Sequence, residues 1–313
     1  MAQTPRVSVL MPVYNGQRYI AEAVESILQQ TFGDFELLIT DDGSQDRSLK
    51  ILQSYASKDS RIRLRSQPNQ GLTCTLNDMI RETRGEYIAI LEHDDIALPN
   101  RLADEVTFLD QHPEVVCVGG AQDLIDEAGR FLTCLQLPQT NAEIQQAALA
   151  GHGSICHPAA MIRRTALLEV GGYNETMDLA HDLDLWLRLG ELGELANLPQ
   201  PVVQYRLHNA SLSEQYCKEQ RQEAYLACER AWKRRGIEGK FEAGEPWRPG
   251  KDRHSRHKFM LQYGWWAFTS AQKRTALIYG FRAVYALPFS PEGWKLLITT
   301  ALKSRTFFSQ ANP

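Results

Sequence analysis

The chain has 313 residues, 43% of them hydrophobic, and a net charge of −4. That composition supports a sizeable core and excludes a disordered chain. With no N-terminal apolar leader and no apolar run near 18 residues, the expectation is a cytoplasmic protein. The charge is uneven: residues 214–313 hold 18 Lys and Arg against 9 Asp and Glu, or +9, and residues 1–213 hold 16 against 29, or −13.

Arg6–Met11 is an apolar, β-branched run stopped by Pro12, which predicts a first strand, and Val13-Tyr14-Asn15-Gly16 reads as a turn. Ile20, Val24, Ile27 and Leu28 then recur at helical spacing. Phe35–Thr40 predicts a second strand that runs into Asp41-Asp42, and Asp46 is placed to cap a helix over 47–55. A short third strand over Ile62–Arg65 is followed by Asn69-Gln70-Gly71 and a helix through Leu72, Leu76 and Ile80. Tyr87–Leu91 is a fourth strand, ending in Glu92-His93-Asp94-Asp95. Adjacent carboxylates repel unless a cation sits among them, and oxygen ligands at this density suit Mg²⁺ or Mn²⁺. A solvated acidic turn before the helix at Pro99 is the plainer alternative.

Strands alternating with helices over short loops imply a doubly wound, mostly parallel α/β sheet. Ligands of such sheets lie beyond the carboxyl ends of the strands. Three of these ends are polar: Tyr14 and Asn15, Asp41 and Asp42, and Glu92, Asp94 and Asp95. There is no GxGxxG and no P-loop, so a phosphate-bearing ligand would rely on a metal at the acidic ends.

Further along, Val115–Gly120 predicts a fifth strand, Asp126–Arg130 a turn between two strands, and Thr140 or Asn141 a cap for a helix to Leu149. Cys156-His157-Pro158 leads into a short strand over Ala159–Arg163, and Gly171-Gly172 permits positive φ. Ala180–Leu189 is an amphipathic helix with Asp182 in its first turn, either as a cap or as a general base facing the cleft. Leu198–Leu207 predicts a last strand near Arg206, His208 and Asn209, where Arg and His could contact phosphate or metal.

Beyond Ser213 the pattern is helical: 216–235, 253–268, 275–286 and 294–302, with a Gly/Pro/Trp-rich linker through Gly250. Trp265, Trp266, Phe268, Tyr279, Phe281, Tyr285, Phe289 and Trp294 interleave with Lys and Arg, which fits either a membrane interface or an ordinary packed subdomain. The six cysteines are scattered without metal-ligand spacing and read as reduced thiols. His254 and His257 form an HxxH that lacks a neighbouring Cys or acid.

Taken together, SVLMPVYNG, FELLITDDGSQD, NQGLTCTLN, GEYIAILEHDD, HPAAMIRR, GGYNE, HDLDLWLRLGELG and YRLHNASLS, in this order over residues 5–213, resemble the inverting family 2 glycosyltransferases of GT-A fold. The resemblance implies a catalytic domain over 1–213 and leaves 214–313 as a basic, aromatic-rich helical extension. It implies that Pro12, Val13, Tyr14, Asn15 and Asp41, with Asp42 and Asn77, hold the nucleotide of a nucleotide-diphosphate sugar. Glu92 and Asp94 would bind ribose. Asp94 and Asp95, with His208 as a candidate, would hold Mn²⁺ or Mg²⁺, and Asp182 would be the base. Arg206 and His157 are candidates for diphosphate or acceptor.

Glu92 stands where the family usually has Asp, which puts its ribose contact in doubt. The QxxRW element of processive members is missing, which implies transfer of one sugar or a few. The expected partners are a nucleotide-sugar donor (a UDP-sugar first) and a sugar or lipid-linked acceptor in surface polysaccharide or glycolipid assembly. Contact with the inner face of the cytoplasmic membrane through the C-terminal region is a further expectation; no nucleic acid is. A nucleotidyltransferase is the alternative enzyme, although the turn at Pro12–Gly16 has no Lys or Arg to hold a triphosphate. A non-catalytic binding protein of the same fold is the other.

Overall fold

The computed structural model describes residues 4–208, 217–243 and 252–302. The chain forms two compact units. One comprises residues 1–122, 136–205 and 216–243; the other comprises 123–135, 206–215 and 244–313. The boundary drawn at 213/214, Asn209 and the linker beyond Ala243 lie outside the described residues.

In the first unit, β1 (Val7–Val13), β2 (Phe35–Asp42), β3 (Ile62–Gln67) and β4 (Tyr87–Ile90) lie parallel in the order β3-β2-β1-β4. β1, β2 and β4 are largely apolar and buried because helices cover both faces, while β3 at the edge alternates apolar and charged residues. Val9, Met11 and Leu37 belong to one core cluster with Ile20, Val24 and Ile27 of α1 (Ile20–Leu28). Leu10, Leu38, Ile88 and Ile90 belong to another with Leu76 and Ile80 of α3 (Leu72–Glu82). The crossover between β2 and β3 is α2 (Ser48–Ala56), whose first turn is capped from outside by Asp46, Oδ1 accepting from Ser48 N–H at 2.8 Å.

The second half of the sheet turns antiparallel. After β5 (Ile96–Ala97) and α4 (Arg101–Gln111) come β6 (Val115–Asp126), β7 (Phe131–Leu135) and α5 (Asn141–Leu149). A 3-10 turn over His157–Ala159 precedes β8 (Met161–Arg163), and α6 (Arg164–Glu169), α7 (His181–Leu189) and β9 (Glu194–Leu207) follow. β8 pairs antiparallel with β4 and β6, giving the full order β3-β2-β1-β4-β8-β6-β9-β5, with β7 on β6. The helix start at Asn141 has a reciprocal cap, with Thr140 Oγ1 accepting from Glu143 N–H and the Glu143 carboxylate from Thr140 N–H. The fold is therefore mixed α/β with a mostly parallel first half, as expected, and among the described residues helices follow the sheet.

Those helices do not form one body. α8 (Cys217–Arg235) belongs to the first unit: Ala224, Ala227, Cys228 and Ala231, a small-residue stripe at helical spacing, share a core with Met177, Leu183 and Leu187. The second unit holds α9 (Arg253–Thr269), α10 (Lys273–Ala286) and α11 (Pro291–Leu302). There Tyr279 is buried and donates to Asp126 Oδ2 at 2.8 Å, so it is no interface aromatic. In the His254-x-x-His257 pair, His257 faces Ala283 O through Nδ1 and Ser290 Oγ through Nε2, so both of its ring nitrogens are engaged within the unit. Cys117, Cys156 and Cys228 are buried free thiols.

Candidate functional site

The carboxyl ends of β1, β2 and β4 converge, and the convergence is built by contacts between their turns. Asn15 takes a positive φ of 54°, donates from its backbone N–H to Ser44 Oγ at 2.9 Å, and accepts from Gln45 N–H at 2.8 Å. That joins the turn after β1 to the turn after β2. Gly16 abuts the acidic turn so closely that a Cβ there would lie 2.5 Å from His93 Cδ2, so a larger residue would have to displace the His93 ring. Tyr14, beside them, is 46% exposed. Pro12 and Val13 lie inside β1, in register with Thr40 and Asp41.

Asp41 and Asp42 divide the work at the end of β2. Asp42 accepts from the backbone N–H of Gln70 (3.1 Å) and Gly71 (3.0 Å) and from Gln67 Nε2 (3.0 Å). Its carboxylate thus holds the 67–71 loop in place. Asp41 accepts from Ser66 Oγ at 2.9 Å through Oδ2. Its Oδ1 is buried with no hydrogen-bond partner among the described residues, an orphaned acceptor of the kind that a bound donor satisfies.

Glu92, Asp94 and Asp95 form the acidic corner at the end of β4. Each offers one oxygen, and the three lie within 4.8 Å of one another. No other group of three such ligands occurs among the described residues. Three carboxylate oxygens that close form a donor set suited to a hard divalent cation.

His157 stands behind this corner. Its Nδ1 lies 3.0 Å from Glu92 Oε1, and Nε2 lies 2.8 Å from Tyr173 Oη. Burial pushes the Tyr173 phenol well above its ordinary value, so it stays a proton donor. The His181 ring crosses His157 edge-on, centroids 4.9 Å apart. Burial, then the neighbouring His157, push His181 down; neutral, it donates from Nδ1 to Asp178 O at 2.9 Å. The next residue, Asp182, is the second of α7, half-exposed, with Oδ1 accepting from Leu183 N–H at 2.8 Å. It is not the N-cap, which is Ala180.

Arg101, at the start of α4, ties these parts together from below. Its guanidinium donates to Ile90 O (2.8 Å) at the end of β4 and to Pro158 O (2.5 Å) and Ala160 O (3.2 Å) beside His157. Glu105 balances the charge at 3.1 Å, and both side chains are fully buried. In sequence, Arg101 and Glu105 look like an exposed i,i+4 pair; only burial reveals the clip. Asn77 has a similar role: it accepts from Tyr173 N–H (2.8 Å) and donates to Tyr173 O and Glu175 Oε1 (2.9 Å each). Both donors of its amide are thus committed to the turn carrying Tyr173, rather than offered to a nucleotide. Arg206 and His208 belong to the second unit.

The sequence profile of Glycosyl transferase family 2 matches residues 8–171, more than half of the chain. The chain belongs to glycosyltransferase family 2. Among its relatives, EpsE of Bacillus subtilis, a glycosyltransferase by assignment, is 35% identical over 201 residues, 62% of this chain and 69% of that one. The chondroitin synthase of Escherichia coli is 30% identical over 237 residues, which are 76% of this glycosyltransferase but 34% of the synthase. In fold, the glycosyltransferase matches residues 1–349 of Staphylococcus aureus TarS, solved in complex with UDP, at a TM-score of 0.56 and 17% identity, over 90% of this chain and 81% of that one. No helix among the described residues is long and apolar enough to cross a membrane.

Proposed function

We propose that this glycosyltransferase moves one sugar, or a few, from a nucleotide-diphosphate donor, a UDP-sugar first, to an acceptor hydroxyl, with inversion at the anomeric carbon. The observation that carries the reading is the joining of the β1, β2 and β4 ends into one corner, with an orphaned acceptor at Asp41 and three clustered carboxylate oxygens. Asp41 Oδ1 is suited to accept from a pyrimidine N–H, with Tyr14 against the ring. That TarS is solved with UDP supports the choice of donor.

Glu92, Asp94 and Asp95 would hold Mn²⁺ or Mg²⁺. The cation would offset charge developing on the departing diphosphate. Asp182, anchored through one oxygen at the first turn of α7, is the proposed base that takes the acceptor proton as the hydroxyl attacks from the face opposite the leaving group. Charge at the anomeric carbon is oxocarbenium-like in such transfers. The acceptor in this reading is a sugar or lipid-linked sugar in surface polysaccharide or glycolipid assembly, with the chain on the cytoplasmic side and in peripheral contact with the membrane.

The test is a screen of nucleotide sugars for Mn²⁺-dependent hydrolysis and transfer, with calorimetric titration of UDP, GDP and dTDP. Micromolar binding of one diphosphate and turnover of its sugar are expected. Binding of none of the three would sink the reading.

A further inference from the structure

The second unit leaves several large apolar side chains outside. On α10, Ala276, Tyr279, Gly280 and Ala283 are buried, while Phe281 and Tyr285, one turn apart on the opposite side, are 65% and 87% exposed. On α11, Gly293, Leu296, Leu297 and Thr300 are buried, while Trp294, Ile298 and Leu302 repeat every fourth residue in an exposed stripe. Phe289, in the turn between the helices, is completely exposed. Trp294 Nε1 donates to Pro288 O at 2.9 Å, which fixes the indole against that turn.

These helices are apolar inside and outside, the pattern of elements that end up covered. They cannot cover themselves by rearranging, because the inner faces already touch: a Cβ on Gly280 would lie 2.7 Å from Leu297 Cδ2, and one on Gly293 3.0 Å from Val284 N.

Charge decides what covers the outer face. Between residues 273 and 302, Lys273, Arg274, Arg282 and Lys295 are exposed, against the single acid Glu292. A two-fold contact with a second copy would oppose this cationic face with itself. An anionic lipid surface reverses that sign and accepts aromatic side chains at headgroup depth. Beside the turn, a groove of about 570 Å³ is lined by Leu261, Leu287 and Phe289 together with His254, Lys258 and Glu292, an apolar recess that carries polar groups as well.

We propose that the outer face of α10 and α11, with Phe289 at its tip, docks on an anionic phospholipid bilayer. This gives residues and lipid chemistry to the membrane contact in the reading above, and does not depend on the transfer chemistry.

The test uses the full chain in co-sedimentation with vesicles of phosphatidylcholine, with or without phosphatidylglycerol. Sedimentation with the anionic vesicles alone, weakening as salt rises, is expected. Two variants, Phe289→Ser with Trp294→Ser and Arg282→Glu with Lys295→Glu, should each lower vesicle affinity by about tenfold or more, with circular dichroism and nucleotide binding unchanged. No sedimentation, or equal sedimentation of wild type and both variants, would overturn the proposal. So would a concentration-dependent dimer, seen by light scattering, that the Phe289→Ser and Trp294→Ser change abolishes. Absence of nucleotide binding by the wild type would count against the donor site instead, and not against this surface.

Discussion

His157 Nδ1 meets Glu92 Oε1 at 3.0 Å, and Nε2 of the same ring meets the Tyr173 hydroxyl at 2.8 Å. A carboxylate of the acidic corner is therefore aimed by an imidazole whose own orientation is set from behind. Such outer partners govern ligand geometry, and losing one typically costs about 10- to 100-fold in cation affinity or activity. His157→Ala should raise the Mn²⁺ concentration needed for half-maximal transfer by about that factor, and Tyr173→Phe should do the same more weakly. Activity titrated with Mn²⁺ measures both; unchanged titration curves would mean that the contact does not orient Glu92.

Asp182→Asn keeps the size of the side chain and its bond from Leu183 N–H but removes the proton acceptor. Turnover should drop by about 10²- to 10⁴-fold, the usual share of a general base, while calorimetry shows unchanged affinity for the nucleotide diphosphate. Near wild-type kcat would remove Asp182 from the mechanism.

Chelation separates the cation from the protein residues. EDTA should abolish transfer, and Mn²⁺ or Mg²⁺ should restore it. Full activity in EDTA would leave the acidic corner a structural turn.

Glu36, a buried residue of β2, reports on stability rather than chemistry. Burial alone would raise its carboxyl, but bonds from Arg84, Ser8 and Arg63 outweigh that and hold it below the ordinary carboxylate value. A depressed carboxyl stabilises the fold at neutral pH, and the contribution is lost as pH falls below the ordinary value towards the depressed one. Glu36→Gln should therefore lose about 1–3 kcal/mol at pH 7 and show a flatter acid limb in urea unfolding against pH.

Gly172 has φ of +72°, and a Cβ there would meet Asn77 Oδ1 at 2.5 Å. Gly172→Ala should cost about 1–3 kcal/mol from backbone strain alone, read as a lower Tm. It should also weaken the hold on Tyr173, and so mimic part of the Tyr173→Phe effect on Mn²⁺ response.

The buried parallel strands were legible in the sequence because a strand covered on both faces is written as a mainly apolar run, as in Val7–Met11 and Phe35–Ile39, each interrupted by a single polar residue, Ser8 and Glu36. The acidic corner was legible because three carboxylates in four residues after such a run have few structural uses. The two-residue strand Ile96–Ala97 was not legible; it exists only through pairing with Val203 and Gln204, which leaves no local pattern. The first residues of β9, Glu194–Asn197, were missed, since the strand was expected only from Leu198. Arg101 and His181 were missed as site residues for one reason: their importance lies in burial and partner choice, which tertiary structure alone supplies. The bonds of Asn77 to Tyr173 and Glu175 were not legible either, since an amide in a motif does not announce which way it faces.

The Arg101 clip has a consequence for engineering. One guanidinium holds the end of β4 and the turn around His157 at once, so the acidic corner and its aiming imidazole are a single inherited part. A chimera that swaps the loop after β4 to change donor choice would have to carry Arg101, Glu105 and residues 157–160 with it. Grafted without them, the new carboxylates would arrive in the right order and point in the wrong directions.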